Sequence, residues 1–275
     1  MMLGAILCFS LMDANAKALA HTVGTPQTLW ARYTGQTVLV VLMLNRHVPR
    51  LLRTRQPLIH ILRTAFILGG TTFFFFGLGK IGLAEATAIM GLNPVFITLG
   101  AALFLGEKLG PRRIGGIAAA LIGAMLIIKP GSSVFTPYAI LPLCAAICLT
   151  GFALTARYMG KSESIWTAML YTGLISSVLL GVMIPFFWVP PSGSDVVRLA
   201  VVAVCGGVGQ FLMISALMRA EAGQVAPFIY SGLIFATVWG ILFFGEFPDL
   251  LSLTGGLVII LAGIYVWYRE THSAS

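Results

Sequence analysis

Long apolar runs, bounded by charges, Gly or Pro, divide the chain into ten segments at about residues 1–20, 27–44, 61–79, 84–104, 112–129, 136–157, 164–187, 196–218, 224–244 and 251–268. A helix of about 20 residues, rising 1.5 Å per residue, matches the ~30 Å hydrocarbon layer of a bilayer. The pattern therefore predicts an all-α membrane protein of ten transmembrane helices joined mostly by tight hairpins. The longer connections follow segment 2 and surround Pro190 and Pro191. Segment 1 starts at Met1 with neither a basic leader nor a small-residue cleavage site, and is expected to be a retained helix rather than a signal peptide.

Composition excludes a water-soluble reading of these runs. Of 275 residues, 58% are apolar and 9% charged, and the mean hydropathy is +0.96. A soluble domain draws about a quarter of its residues from Asp, Glu, Lys and Arg to hydrate its surface. This surface must face lipid, and ten spans leave no room for a separate soluble domain. With the N-terminus inside, the cytoplasmic loops collect Arg46, Arg50, Arg53, Arg55, Arg63, Lys108, Arg112, Arg113, Arg157, Lys161, Arg219 and Arg269, against Lys80, Lys129 and Arg198 on the other side. That excess places both termini in the cytoplasm. It also accounts for the net charge of +8 without a nucleic-acid partner. Cys8, Cys144, Cys148 and Cys205 lie in apolar segments away from His or carboxylates, and the four histidines are scattered, so no disulfide, metal or cofactor is expected.

The second half of the chain echoes the first. Ala5, Cys8, Ala16 and Lys17 return as Ala145, Cys148, Ala156 and Arg157; Tyr33-Thr34-Gly35 returns as Tyr171-Thr172-Gly173, and Gly69-Gly70 as Gly206-Gly207. Gly106-Glu107 returns as Gly245-Glu246, and Gly115, Gly116 and Gly123 return as Gly255, Gly256 and Gly263. The offset stays between 137 and 140 throughout. The expected units are residues 1–130 and 136–270. Five spans is an odd number, so the second unit enters the membrane from the opposite side, giving inverted-topology repeats that can expose one midplane site alternately.

These residues resemble the drug/metabolite transporter superfamily, EamA type, over essentially the whole chain. The resemblance rests on Trp30-Ala31-Arg32-Tyr33, on Asn93-Pro94-Val95-Phe96, and on Gly106-Glu107-Lys108-Leu109 leading to Gly115-Gly116 and Gly123, with the second copy at Gly245-Glu246, Gly255-Gly256 and Gly263. Span 9 departs from the pattern, with Gly232-Leu233 where span 4 has Asn93-Pro94 and a proline at Pro227 instead, so any kink there is expected to be displaced. The resemblance implies a multi-pass transporter of small metabolites in the bacterial inner membrane, usually an exporter, with a cavity lined by spans 1, 3, 4, 6, 8 and 9. Within the family the chain is most similar to amino-acid exporters, including those that move aromatic amino acids.

Ionisable groups at membrane depth are functional candidates because they are costly there. Asp13 is the exception among nine acids, the others falling at span ends or in loops. It sits about 11 Å below the outer end of span 1. Lys17, one turn on, would largely neutralise it. Asp13 reads either as a carboxylate for a substrate ammonium or a proton, or as half of an ion pair that pins span 1. Arg32, whose repeat counterpart is Leu170, reads as structural, snorkelling outward or meeting Asp13 or Glu85. In span 3, Thr72 with Phe73 and Phe76 could form an aromatic wall beside a hydroxyl, suited to a zwitterion with an apolar side chain.

Asn15, Asn93, Gln210, Ser215 and Tyr230, with Met90 on span 4, complete the candidate substrate contacts. Each reads equally as helix glue. Pro94, Pro142 and Pro227 are candidate kinks with freed carbonyls for gating. Glu107 and Glu246 read as structural acceptors for helix N-termini. The small residues of spans 5 and 10 permit close helix contact, within one chain or in a homo-oligomer.

The expected activity is alternating-access transport of amino acids, with the lipid bilayer and a small-molecule substrate as partners. A channel, or an exporter of nucleosides, vitamins or organic cations, remains the alternative. An enzyme would need paired carboxylates, a metal cluster or an activated nucleophile at depth, which the sequence does not supply.

Overall fold

The computed structural model describes residues 1–44, 48, 54, 56–105, 111–129, 137–159, 164–219 and 228–272. Among them are the helices α1 (Met2–Ala20), α2 (Thr25–Leu44), α3 (Pro57–Leu78), α4 (Leu83–Met90), α5 (Asn93–Leu105), α6 (Pro111–Ile128), α7 (Ile140–Met159), α8 (Ile165–Phe187), α9 (Gly193–Arg219), α10 (Ser231–Phe244) and α11 (Leu250–His272), and no strand. Five stretches are long and apolar enough to cross a membrane by length and composition: Met2–Ala20, Pro57–Leu78, Pro137–Thr155, Trp166–Phe187 and Gly193–Ala216.

Around an apolar core, the bundle exposes many large apolar side chains and buries several polar ones. Leu42, Leu58, Phe186, Leu242 and Leu250 are among its most exposed side chains, while Gln27, Thr28, Arg32, Gln36, Ser176 and Gln210 are buried. A surface this rich in large apolar side chains suits a hydrocarbon solvent, and buried polar ones then hold helices together or line an interior.

The contacts exchange in pairs. α1 packs along α9 and α10, as α7 packs along α3 and α5. α2 lies against α9, as α8 lies against α3, while α2 and α8 pair with each other, as do α6 and α11. The α6–α11 seam is the tightest in backbone terms: a Cβ at Gly255 would sit 2.5 Å from the Gly123 carbonyl, and one at Gly123 would sit 2.7 Å from the Gly255 carbonyl. Gly123 and Gly255 are therefore used within the chain.

Span 4 is broken. α4 ends at Met90, Gly91 and Leu92 form a turn, and α5 starts at Asn93. Pro94 has no N–H to return to the Met90 carbonyl, so the ladder lapses just where the proline predicts. A second interruption falls at the turn of Tyr230, immediately before α10. It lies 139 residues after Gly91, at the corresponding place of the second half. Pro227 and Glu107 lie outside the described residues.

Two further expectations change. Pro142 is the third residue of α7, in its first turn, where a missing N–H costs no helical bond. It is a helix start and not a mid-span kink. Arg63 belongs to α3, its Cζ 4.5 Å from the Phe152 ring centroid, and is not a loop cation.

Candidate functional site

The centre of the bundle is built on α1 and α9. Gly4 faces Leu212, Gly209 faces Cys8 and Phe9, Gly206 faces Met12, and Thr22 Oγ1 donates to Asp195 Oδ1 at 2.9 Å, so the two helices run antiparallel along their whole length. The Thr22 end of the pair is pinned by Asp195, whose Oδ2 accepts the Ser192 N–H at 3.0 Å and the Ser192 hydroxyl at 2.7 Å, capping α9. Next to this pair α2 buries one polar face: Thr28, Arg32 and Gln36, spaced by four residues, all point inward.

Arg32 is 8% exposed. Its stem crosses α9 at Gly206, where a Cβ would lie 3.2 Å from both Arg32 Cγ and Met12 Sδ. Glycine at 206 leaves the side chain room, since a Cβ there would press on both neighbours. The guanidinium carbon lies 5.6 Å from the Phe75 ring centroid and 5.2 Å from that of Tyr33. Nε has no hydrogen-bond partner, and among the described residues no carboxylate forms an ion pair with Arg32. Asp13 of α1 is half-buried and lies within electrostatic reach of Arg32. The two do not close on each other. Gln210, one turn along α9 from Gly206, is buried on the same side.

Lys17 does not pair with Asp13. Its ammonium donates to the Ile81 carbonyl at 2.6 Å, pairs with Glu246 Oε1 at 2.5 Å and lies 5.3 Å from the Phe244 ring centroid. The other carboxylate oxygen, Oε2, accepts the Leu83 N–H at 3.0 Å, in the first turn of α4. The Gly-Glu sequence explains the geometry. Gly245 takes φ 64°, a left-handed conformation open to glycine, and Gly245 and Glu246 return their N–H groups to Ile241 and Gly240 in a Schellman-type turn. That turn throws Glu246 back across the end of the bundle. It joins α1, α4 and α10, rather than capping the next helix, α11.

The structure brings Asp13, Arg32 and Gln210 toward one region and disperses the other candidates. Asn15 donates to Leu11 O at 2.8 Å and Thr72 to Leu68 O at 2.7 Å, both within their own helices. Asn93 donates to Ala146 O at 2.9 Å and Thr150 Oγ1 at 3.3 Å, tying α5 to α7. Tyr230 packs its hydroxyl onto Gly263 of α11. Met90 ends α4 against the core, and Ser215 is half-buried on α9. Phe73 and Phe76 are exposed on the stripe that also carries Leu58 and Leu62, so they do not wall the centre; buried Phe75 stands beside Arg32 instead. Sequence reasoning took Arg32 and Glu246 as structural and did not single out Phe75. For Arg32 the signal was present, in a charge whose repeat counterpart is a leucine.

The EamA-like transporter family matches the chain at residues 1–129 and 136–269. The S-adenosylmethionine uptake transporter of Rickettsia felis is 25% identical over 97% of this chain and 90% of its own length. The pseudopaline exporter CntI of Pseudomonas aeruginosa is 28% identical over 93% and 90%. The riboflavin transporter of Rhizobium johnstonii is 27% identical over 96% and 88%. A solved crystal structure superposes over 99% of both chains with a TM-score of 0.66 at 18% identity, a likeness of fold. These relatives are metabolite transporters but not aromatic amino-acid exporters, which corrects the expected branch.

Proposed function

The chain belongs to the EamA-like transporter family, and from that premise we propose that it is an inner-membrane carrier, with export as its direction, that moves small amino-acid-like metabolites by alternating access between two inverted five-span halves. The observation that carries this reading is the pair of interrupted helices at Gly91–Leu92 and Tyr230, in corresponding places of the two halves. Broken spans near the midplane expose backbone polar groups, which are tolerated only where they meet protein or line a cavity, and they mark substrate sites in secondary transporters. The exchangeable contacts of α1 with α9 and α7 with α3 support the same view, since such halves can swap conformations at similar energy. The Lys17–Glu246 pair joins the ends of α1, α4 and α10 on the side assigned as outer, which suits a state closed to the outside.

Amino-acid-like substrates are favoured by an acidic and a basic side chain, half-buried Asp13 and buried Arg32, within reach of each other inside the bundle. S-adenosylmethionine, moved by the Rickettsia felis relative, also carries an amino-acid end group. The test is counterflow in proteoliposomes with amino acids, S-adenosylmethionine, riboflavin, nucleosides and amines. Saturable exchange of at least one supports a carrier. Flux without saturation, or single-channel current, would establish the channel alternative.

A further inference from the structure

We propose that Arg32 and Asp13 form one dipolar recognition site, in which the Arg32 guanidinium takes the carboxylate and Asp13 takes the ammonium of an α-amino-acid head group. This rests on the transporter reading and names its substrate class and anchoring residues. A guanidinium is charged at every accessible pH, carries five donors and is rarely buried without an acceptor. Arg32 is held with its Nε unpartnered, 8% exposed, and no ion pair among the described residues. Its orientation is set by groups that cannot neutralise it: the Phe75 and Tyr33 rings and the bare backbone of Gly206. A purely structural arginine would close on Asp13, which lies within its field and remains apart. A carboxylate-ammonium ligand placed between them would satisfy both charges, and the planar fork of Arg32 suits a carboxylate.

The repeat argues in the same direction. The offset of 138 sets Leu170 against Arg32, and the offset of 140 sets Ala153 against Asp13. Leu170 is fully buried in a small apolar cluster with Val40 and Met169. The fold is therefore satisfied at that position by an apolar side chain. One half has exchanged packing for a charge, and has done so at both members of the pair. Counted from the outer ends of α1 and α2, Asp13 and Arg32 both lie seven residues in, about 10 Å deep. They share a level in the membrane, as groups must to hold the two ends of one head group.

The experiment measures competition with radiolabelled L-methionine binding to the purified full-length protein. Competitors are unlabelled L-methionine, its methyl ester, 3-(methylthio)propylamine, 4-(methylthio)butanoate and S-adenosylmethionine. In the unaltered protein, loss of either charge from the competitor should weaken it about tenfold or more. In Arg32→Gln, L-methionine should fall to the level of its ester while the ester is unchanged. In Asp13→Asn, L-methionine should fall to the level of the butanoate. Tighter competition by S-adenosylmethionine than by L-methionine would assign the head group to a larger metabolite, with the proposal intact. An ester that competes as well as L-methionine in the unaltered protein overturns it, as does an Arg32→Gln variant that weakens ester and amino acid by the same factor. The ligand series on the unaltered protein decides even where a variant does not fold. Failure here beside saturable counterflow of riboflavin or a nucleoside would remove this site and leave the carrier standing.

Discussion

Replacing Glu246 by Gln is expected to loosen the junction of α1, α4 and α10 by about 2–3 kcal/mol. The Lys17 side chain is 6% exposed and that of Glu246 34%, with 2.5 Å between their charged atoms. At an effective dielectric of about 20, the attraction of unit charges at this distance is about 7 kcal/mol, most of it offset by desolvation of the ammonium. Removing one partner from a fully buried pair costs about 3–5 kcal/mol, and the partial exposure of Glu246 lowers that range. The amide oxygen of the Glu246→Gln variant would still accept from the Leu83 N–H, so the loss isolates the charge. Lys17→Met removes the buried cation and leaves the cap on α4 in place. The double variant holds no unpaired charge, so it should be more stable than Glu246→Gln alone, with a coupling of about 2 kcal/mol.

The assay is unfolding in mixed micelles with increasing SDS, followed by tryptophan fluorescence, over the full double-mutant cycle. Hydrogen exchange gives a local reading: amides in the first turn of α4 should exchange about thirtyfold faster in Glu246→Gln, as 2 kcal/mol requires, while those of the α6–α11 seam should not change. Single variants that add within about 0.5 kcal/mol would refute the coupling. Unchanged exchange at Leu83 would refute the claim that this pair holds these helix ends together.

Other outcomes follow from the same geometry. Asn93→Leu removes the bonds to Ala146 and Thr150 and should cost about 0.5–1.5 kcal/mol in the same unfolding assay, with substrate KM little changed; a large change in KM at unchanged stability would make Asn93 a ligand instead. Gly255→Val places a side chain against the Gly123 carbonyl and should lower stability by about 1–3 kcal/mol or more; a neutral result would mean that the α6–α11 seam is looser than described. Outside the spans, the Lys129 side chain and the Ser252 N–H draw the Asp249 carboxyl down from 3.8 to about 2. Its folded pKa is depressed, so the stabilisation is present above pH 3.8 and lost as pH falls toward 2. Stability measured over that window should fall more for the unaltered protein than for Asp249→Asn, by under about 1 kcal/mol because the pair is exposed.

The ten-segment reading matches an all-helical chain in which five stretches are long and apolar enough to cross a membrane, because it rested on apolar length, and length is what a bilayer selects. Its errors lie where hydropathy is silent. α3 begins at Pro57 and not near residue 61, since the proline start outweighs the polar flank; α9 begins at Gly193 because Ser192 and Asp195 cap it; and span 4 is two helices because Pro94 breaks a run that remains apolar throughout. α2 shows the opposite error: it is as long as its neighbours, yet too polar to pass as a span on composition, because its Thr28, Arg32 and Gln36 face is buried.

The site was harder to read, for a reason that separates sequence from structure. Spacing along one helix gives a side chain's direction but not what it meets, so Asp13 and Lys17, one turn apart, looked like partners. Two contacts from elsewhere decide otherwise: Glu246, 229 residues from Lys17, draws the ammonium up and away, and Gly206 on α9 opens the space that Arg32 occupies beside Asp13. With Lys17 engaged at the end of the bundle, the cation that faces Asp13 is Arg32, held too far for an ion pair. The two cations thus exchange the roles that their positions in the sequence suggested. Lys17 closes an end, where losing it weakens a junction, and Arg32 has no ion pair among the described residues, so the site proposed above would give its charge a partner.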